Sequence, residues 1–264
     1  MKKHFKGKVA LVTGAASGIG RALSAQLAQH GARVWMTDIN AELLEKSAYA
    51  IHGAVQSRPL DVTDPDAFTS VAEEISDREG AIDLLFNNAG IAVIGHYNEM
   101  SMADFNRLID VNLRGVLHGI QAVYPGMMAR RSGHIVNTSS VSGLIAAPGF
   151  TVYSATKHAV VGLTRGLRIE AKRFNVKVSC FCPGFIDTEL VGNADYRGID
   201  PEKALAKTPI KFASAQACAR EALEGVAKNE GEIVVTRHAK GMVAMQKFAP
   251  RLLGVLAGQG VRRN

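Results

Sequence analysis

Residues 8–31 read as strand, glycine-rich turn and helix, and that order restricts the chain to a small set of folds. Lys8-Val-Ala-Leu-Val-Thr13 is an apolar run of strand length. Gly14-Ala-Ala-Ser-Gly18-Ile-Gly20 follows, after which Ile19, Leu23 and Leu27 recur at helical spacing until Gly31 stops the pattern. Gly14 allows a tight turn. Gly18 and Gly20 let the backbone approach a ligand and let the helix pack against a sheet. The N-terminus of such a helix offers N–H donors and positive potential to a pyrophosphate. Gly14, Ser17, Gly18, Ile19 and Gly20 are therefore the first candidate cofactor residues, for a dinucleotide. The spacing is G-x-x-x-G-x-G rather than G-x-G-x-x-G. A glycine-rich turn in an unrelated α/β protein is the competing reading.

Strands and helices continue to alternate. Arg33–Thr37 is a second strand and Asp38 ends it, 18 residues after Gly20. A carboxylate there accepts from both hydroxyls of an adenine ribose and repels a 2′-phosphate. Neither Ile39 nor Ala16 is basic, so NAD is expected over NADP. Ala54–Leu60 reads as the third strand. Asp61 and Val62 follow it, with Asp61 poised to touch an adenine. Asp64-Pro65 begins a helix with a cap and a proline at its first position. Asp83–Phe86 is the fourth strand, and Asn87-Asn88-Ala89-Gly90 suits a backbone pressed against a ligand. Ile91–Met100 is expected as a loop. One long helix is expected from a cap near Ser101 through to Met128, with Asn112 in its interior. Asn112 is either a packing amide or the anchor of a proton relay.

The stretch Gly133–Phe174 carries the chemistry. A strand at Ile135-Val136 ends in Ser139-Ser140, and a helix from about Thr151 places Tyr153 and Lys157 a turn apart on one face. A free tyrosine titrates near ~10, and each unit of downward shift needs about 1.4 kcal/mol of preference for the phenolate. A neighbouring ammonium supplies part of that preference. Ser140 is placed to hydrogen-bond a reacting oxygen beside Tyr153. Alone, the Tyr/Lys pair would be an ordinary helix-surface pair. The accompanying motifs reverse that reading. Val176–Cys182 and Glu232–Thr236 are the last strands. Pro183-Gly184 leaves the first of them, followed by Ile186 and Thr188. Residues 189–212, polar and broken by Gly and Pro, are expected to form a substrate lid.

Net charge is +7, yet residues 2–8 and 233–264 together carry +10 and no acid, leaving −3 for residues 9–232. Basic ends of this kind do not make a nucleic-acid groove. The three cysteines lack metal-ligand spacing, so they read as buried small hydrophobes, no metal is expected, and a reducing compartment fits. No stretch approaches the ~20 apolar residues of a spanning helix. The basic extension, residues 237–264, should form two short helices broken at Ala249-Pro250. Its apolar face is expected to pack on the lid or on a partner subunit; the alternative is weak peripheral contact with anionic lipid.

Thr13-Gly14-x-x-x-Gly18-x-Gly20, Asn87-Asn-Ala-Gly90, Asn112, Ser140, Tyr153-x-x-x-Lys157 and Pro183-Gly184 occur in order, and the chain resembles the short-chain dehydrogenases/reductases of the classical type over roughly residues 6–190. The resemblance implies an α/β, doubly wound Rossmann fold of three layers, with seven parallel strands in a single domain spanning residues 1–264. It implies that Tyr153 is the general acid/base and that Ser140 holds the substrate oxygen. Lys157 would bind the nicotinamide ribose and, with the cofactor's positive ring, lower the Tyr153 pKa. Asn112 would anchor a water. Tyr153, Lys157, Asp38, Asp61, Val62, Asn88, Ala89, Gly90, Pro183, Gly184, Ile186 and Thr188 complete the cofactor set with the glycine loop. The expected activity is NAD-preferring oxidation of a secondary alcohol on a hydrophobic body (steroid-, lipid- or aromatic-like). An NADPH-dependent carbonyl reductase and a non-catalytic cofactor sensor are the alternatives. A cytoplasmic homodimer or homotetramer is expected. Ala92, Val93, Ile94, Val141, Leu144, Phe150, Phe185 and Leu190 are expected to line the pocket, with no arginine among them.

Overall fold

Strand β1 (Val9–Thr13) shows why the sheet lies between two helical layers. Val9 and Leu11 point into one apolar cluster, while Ala10 and Val12 point into another on the opposite face. A strand apolar on both faces must be covered on both. The computed structural model describes residues 1–192, 194–200 and 212–251. The other strands of the main sheet are β2 (Arg33–Asp38), β3 (Val55–Pro59), β4 (Leu84–Asn87), β5 (His134–Thr138), β6 (Lys177–Pro183) and β7 (Glu232–Val235). All pair in parallel, in the order β3-β2-β1-β4-β5-β6-β7. Helices Gly18–Gln29, Ala41–Tyr49 and Ala215–Ala227 contribute to one core; Pro65–Glu79, Gly115–Ala129 and Thr151–Ala171 contribute to the other. The expected doubly wound, single-domain α/β fold is what the chain adopts. Strand order reverses between β1 and β4, and the crevice at their carboxyl ends is where ligands bind in such sheets.

Two local departures bear on the site. The helix expected from Ser101 to Met128 is interrupted. It runs as Met102–Ile109, then a π-helical segment Asp110–Arg114, then Gly115–Ala129, with the Gly115 N–H bonded to the Asp110 carbonyl five residues back. Asn112 lies in that segment and is fully buried. Insertions of this kind are rare and concentrate at functional sites. The expected loop 91–100 contains a short strand, Val93–Gly95, paired in parallel with Asp195–Arg197. Helix Arg237–Phe248 ends at Ala249, where φ is −144° and ψ 57°, ahead of Pro250 as expected. Residues 201–211 of the expected lid and 252–264 of the extension lie outside the described residues.

At the amino-terminal end of β5, His134 is 2% exposed, and its Nε2 lies 2.8 Å from the Ser179 hydroxyl, which itself donates to the Glu230 carbonyl. Its Nδ1 has no partner among the described residues. Burial, reinforced by Lys177, pushes the ring down to about 3 from the ordinary histidine value. The unfolded chain therefore binds this proton at a higher pH than the folded one. Stability is complete above pH ~6.5 and falls below it, by about 1.4 kcal/mol per pH unit, until the folded ring itself protonates. Urea unfolding of His134→Gln, which retains a donor toward Ser179, should show a shallower loss of stability between pH 6 and 4.5 than the unmodified chain. The expected difference is about 1–2 kcal/mol. Parallel slopes for the two proteins would refute the assignment.

Candidate active site

The glycine turn is shaped by contact with its own backbone. Gly14 has a φ of +63°, and a Cβ there would lie 2.7 Å from the Ala89 Cα. A Cβ on Gly20 would lie 2.1 Å from the Gly14 carbonyl oxygen. The turn is tied to its surroundings by three side chains. The Asp38 carboxylate accepts from the Ala16 N–H at 3.1 Å, and the Ser47 hydroxyl donates to the Ala16 carbonyl at 2.6 Å. Asn88 Nδ2 donates to the carbonyls of Thr13 and Gly14 at 3.0 and 3.3 Å. The Thr13 hydroxyl accepts from the N–H groups of both Asn88 and Ala89, each at 3.0 Å.

A cleft of about 330 Å³ opens above these groups. Its walls include Gly14, Ser17, Gly18, Ile19, Gly20, Asp38, Asn88, Ala89, Gly90, Tyr153, Lys157, Pro183 and Thr188. The structure thus brings together most of the cofactor residues expected from sequence. The long groove, the glycine cradle that any Cβ would fill, and a helix N-terminus at Gly18 suit a dinucleotide. Asp61 and Val62 are not among the cleft residues. The Asp61 carboxylate accepts from the Thr63 N–H and hydroxyl, and Val62 packs beneath Gly115.

Tyr153 stands where this cleft meets a second cavity of about 250 Å³. The second cavity is lined by Ser140, Gly184 and Ile186, and by the apolar groups Ala92, Ile94, Val141, Ile145, Phe150, Phe185 and Leu190. Of the residues expected to line it, Val93 is instead fully buried beside Ile94, and Leu144 packs against Val141 and Ile145. Six lining residues were absent from the pocket expected from sequence: Ser142, Ile145, Ala147, Tyr196, Phe212 and Met242. No motif marks them: Ser142, Ile145, Ala147 and Phe212 come from turns and loops, Tyr196 from a three-residue strand, and Met242 from the apolar face of the C-terminal helix, which was expected to pack on the lid or a partner subunit. Arg107, also missed, lines the first cleft and is ion-paired to Asp195.

Burial sets the electrostatics of the junction. Tyr153 is 7% exposed; desolvation drives its phenol up to about 12, against a smaller opposing effect from its hydrogen bond to Ser140. Lys157, equally shielded, is pushed down to about 8 by burial. Its Nζ lies 5.7 Å from the Tyr153 ring centre and donates to the Thr138 carbonyl at 3.2 Å. Desolvation is the larger influence on Tyr153, and the lowering expected from Lys157 together with a cationic nicotinamide ring would have to act against it. The Asn112 amide clamps Ile91, accepting from its N–H at 2.9 Å and donating to its carbonyl at 3.0 Å. A Cβ on Gly90 would lie 3.1 Å from Asn112 Oδ1 and 3.3 Å from Lys157 Nζ, so these groups meet beneath that glycine.

Residues 8–197 match the family model described as short chain dehydrogenase. The chain belongs to the short-chain dehydrogenase family. It is 36% identical to the putative oxidoreductase SadH of Mycobacterium tuberculosis, with 98% of this chain and 97% of that protein aligned. It is 40% identical to the 3-oxoacyl-(acyl-carrier-protein) reductase FabG of Thermotoga maritima, over 78% of this chain and 85% of that one. Among solved structures, a short-chain dehydrogenase/reductase from Burkholderia phymatum in complex with NAD superposes with a TM-score of 0.86 at 28% identity. That match covers 94% of this chain and 96% of the other. The protein is an NAD(P)-dependent oxidoreductase.

The Gly20–Gly14 contact makes a direct prediction. In Gly20→Ala the added methyl meets main chain rather than a movable side chain, so the turn itself must shift. Overpacking of this kind costs about 1–3 kcal/mol. The variant should melt lower and lose most of the thermal shift that NAD produces. An NAD-induced shift equal to that of the unmodified protein would show that the turn does not hold the cofactor.

Proposed function

We propose that the chain is an NAD-preferring alcohol dehydrogenase that interconverts a secondary alcohol and a ketone carried on an apolar body. The observation that carries this reading is the position of Tyr153. Its phenol stands with the Ser140 hydroxyl where the dinucleotide cleft meets the apolar cavity, 5.7 Å from Lys157 Nζ.

The nicotinamide cofactor supplies the hydride acceptor in oxidation and the hydride donor in reduction. The chain's own residues handle the proton and the geometry. In oxidation Tyr153 takes the proton of the substrate hydroxyl; in reduction it returns one to the carbonyl oxygen. Ser140 donates a hydrogen bond to the same oxygen. Lys157 holds the nicotinamide ribose and, once a cationic ring lies nearby, adds to the positive potential that favours the phenolate. Asn112 acts by fixing the Ile91 backbone against Gly90, and the π-helical segment places it there. Thr188 and the backbone at Ile186 would hold the carboxamide of the cofactor, with Pro183 and Gly184 lining the same part of its site.

Asp38 supports the preference for NAD. Its carboxylate lies in the cleft at the end of β2, and the following residue, Ile39, is neutral and 71% exposed. A 2′-phosphate would meet a negative charge and no cation. The walls of the second cavity support a neutral, largely apolar substrate. The NADPH-dependent carbonyl reductase reading lacks a cation near the ribose, at Ile39 or Ala16, to offset Asp38, and a non-catalytic sensor has no use for Ser140, Tyr153 and Lys157 together. The C-terminal helix favours packing over membrane contact: Met242, Val243 and Met245 pack against Val141 and Ile145, and Lys240 pairs with Glu221 at 3.1 Å. A cytoplasmic homodimer or homotetramer belongs to the same proposal.

Turnover of a panel of apolar secondary alcohols with NAD and with NADP tests the reading. Tyr153→Phe should lose about 10²–10⁴-fold in rate while keeping NAD affinity. A Phe variant with half the original rate would refute the role of the phenol. Asp38→Ser should narrow or reverse the excess of the NAD-induced melting shift over the NADP-induced one. Tighter binding of NADP than NAD to the unmodified chain would refute the cofactor preference.

A further inference from the structure

The wall of the apolar cavity is held from the far end of the chain. Phe185 and Phe212 both line that cavity, with ring centres 5.7 Å apart. The Phe185 ring also lies against His238, with ring centres again 5.7 Å apart. The main-chain N–H of Phe185 donates to Nε2 of His238 at 2.9 Å. That hydrogen bond joins the segment leaving β6 to the first turn of helix Arg237–Phe248.

The turn around His238 is built for this contact. Thr236 precedes it with a φ of +86°, a conformation that a β-branched residue rarely adopts. The Thr236 hydroxyl accepts from the Ala239 N–H at 3.3 Å and lies 3.0 Å from His238 Nε2. The Gly184 N–H donates to the Val235 carbonyl at 3.2 Å. A Cβ on Gly184 would lie 2.4 Å from the Thr236 hydroxyl and 2.5 Å from His238 Nε2, so the two segments touch with no room for a side chain. One turn beyond His238, Met242 enters the cavity lining.

We propose that His238 is a positioning residue for the substrate cavity: by accepting the Phe185 N–H it fixes the Phe185–Phe212 wall beside the apolar body of the substrate. The proposal rests on the assignment of that cavity to the substrate. Nε2 can accept only if it is unprotonated, so the ring must be neutral with its proton on Nδ1. Burial lowers the basicity of His238, which favours that neutral form. Among the described residues no hydrogen bond or ring contact joins His238 to Tyr153 or to the glycine turn. Its effect should therefore fall first on substrate affinity, with a smaller one on NAD through the neighbouring Gly184 and Ile186, and not on the chemical step.

Three measurements on the full chain test this. Nitrogen-15 spectra of the ring near neutral pH should show the Nδ1–H tautomer; an Nε2–H tautomer or an imidazolium would overturn the proposal. Hydrogen exchange at the Phe185 amide should be roughly five- to tenfold faster in His238→Leu, the loss of about one hydrogen bond. His238→Gln, whose amide oxygen can accept the same N–H, should restore protection. On the best apolar alcohol found with the unmodified enzyme, His238→Leu should raise KM by roughly five- to tenfold with kcat within about twofold. Gln should recover most of that loss. Unchanged exchange and KM in the Leu variant, or a Gln variant as impaired as Leu, would overturn it. If no alcohol is turned over, the proposed reaction fails on its own, while the tautomer and the Phe185 exchange still decide whether His238 holds the wall.

Discussion

The crevice between β1 and β4 exists because main chain lies against main chain there. Gly14 meets Ala89, Gly20 meets Gly14, and neither approach leaves space for a Cβ. Such contacts put peptide groups face to face, and buried peptide groups need partners. The Thr13 hydroxyl and the Asn88 amide provide them, joining the end of one strand to the end of the other through four hydrogen bonds. A second amide chain lies just beneath: Asn87 donates to Asn137, and Asn137 to Thr164, which links β4, β5 and the helix that carries Tyr153 and Lys157. The cofactor turn and the reactive helix are thus parts of one hydrogen-bonded frame. Moving either would strand buried polar groups, each worth about 1–3 kcal/mol.

Within that frame, burial does opposite things to the two reactive groups. It raises the Tyr153 phenol and lowers the Lys157 ammonium, so in both cases it disfavours the charged form. A lysine near 8 still carries its proton for a large fraction of the time at neutral pH, and it needs only a modest gain in negative potential to hold it fully. A phenol near 12 keeps its proton until something cationic arrives. Burial by itself therefore favours the neutral phenol at Tyr153, and the acid/base role proposed for it calls for added positive potential in the cleft.

How much of this was legible in the sequence depends on whether neighbours in space are also neighbours in the chain. The glycine turn, Asp38, Asn88–Gly90 and the Tyr153/Lys157 pair are local patterns with fixed offsets. The structure brings them to one cleft. The strands were legible as short runs separated by helical periods, and their parallel seven-stranded arrangement was implied by the family resemblance. The π-helical segment was not legible, since Asp110–Arg114 keeps a helical polarity pattern and only the extra residue per turn distinguishes it. The strand Val93–Gly95 was hidden because its partner among the described residues, Asp195–Arg197, lies about a hundred residues away in a polar stretch. Tyr196 belongs to that short partner strand, Phe212 and His238 lie in a loop and a helix start where no period exists to read, and Met242 lies on an apolar helix face whose cover the sequence did not specify.

The substrate side of the site is accordingly the more loosely specified half, and its fixings are of a different kind. The strand Asp195–Arg197 is fastened to helix Met102–Ile109 by two ion pairs, Arg107 with Asp195 and Arg197 with Asp104. Arg197 reaches both oxygens of Asp104, at 2.8 and 3.3 Å, and that fork draws the carboxyl down to about 2. The Arg107 pair is exposed on both sides and contributes little by itself. The Asp104 carboxylate is 8% exposed and also caps its own helix through Ser101, so losing Arg197 would leave a shielded charge short of its partner. Between these arginines, Tyr196 turns into the apolar cavity. Polar fastenings on the outside thus hold an apolar wall on the inside, and the His238 contact repeats the arrangement on the opposite wall. A cofactor turn defined by main-chain contacts tolerates almost no change. A pocket defined by side-chain fastenings can be reshaped one pair at a time while the frame beneath it stays fixed.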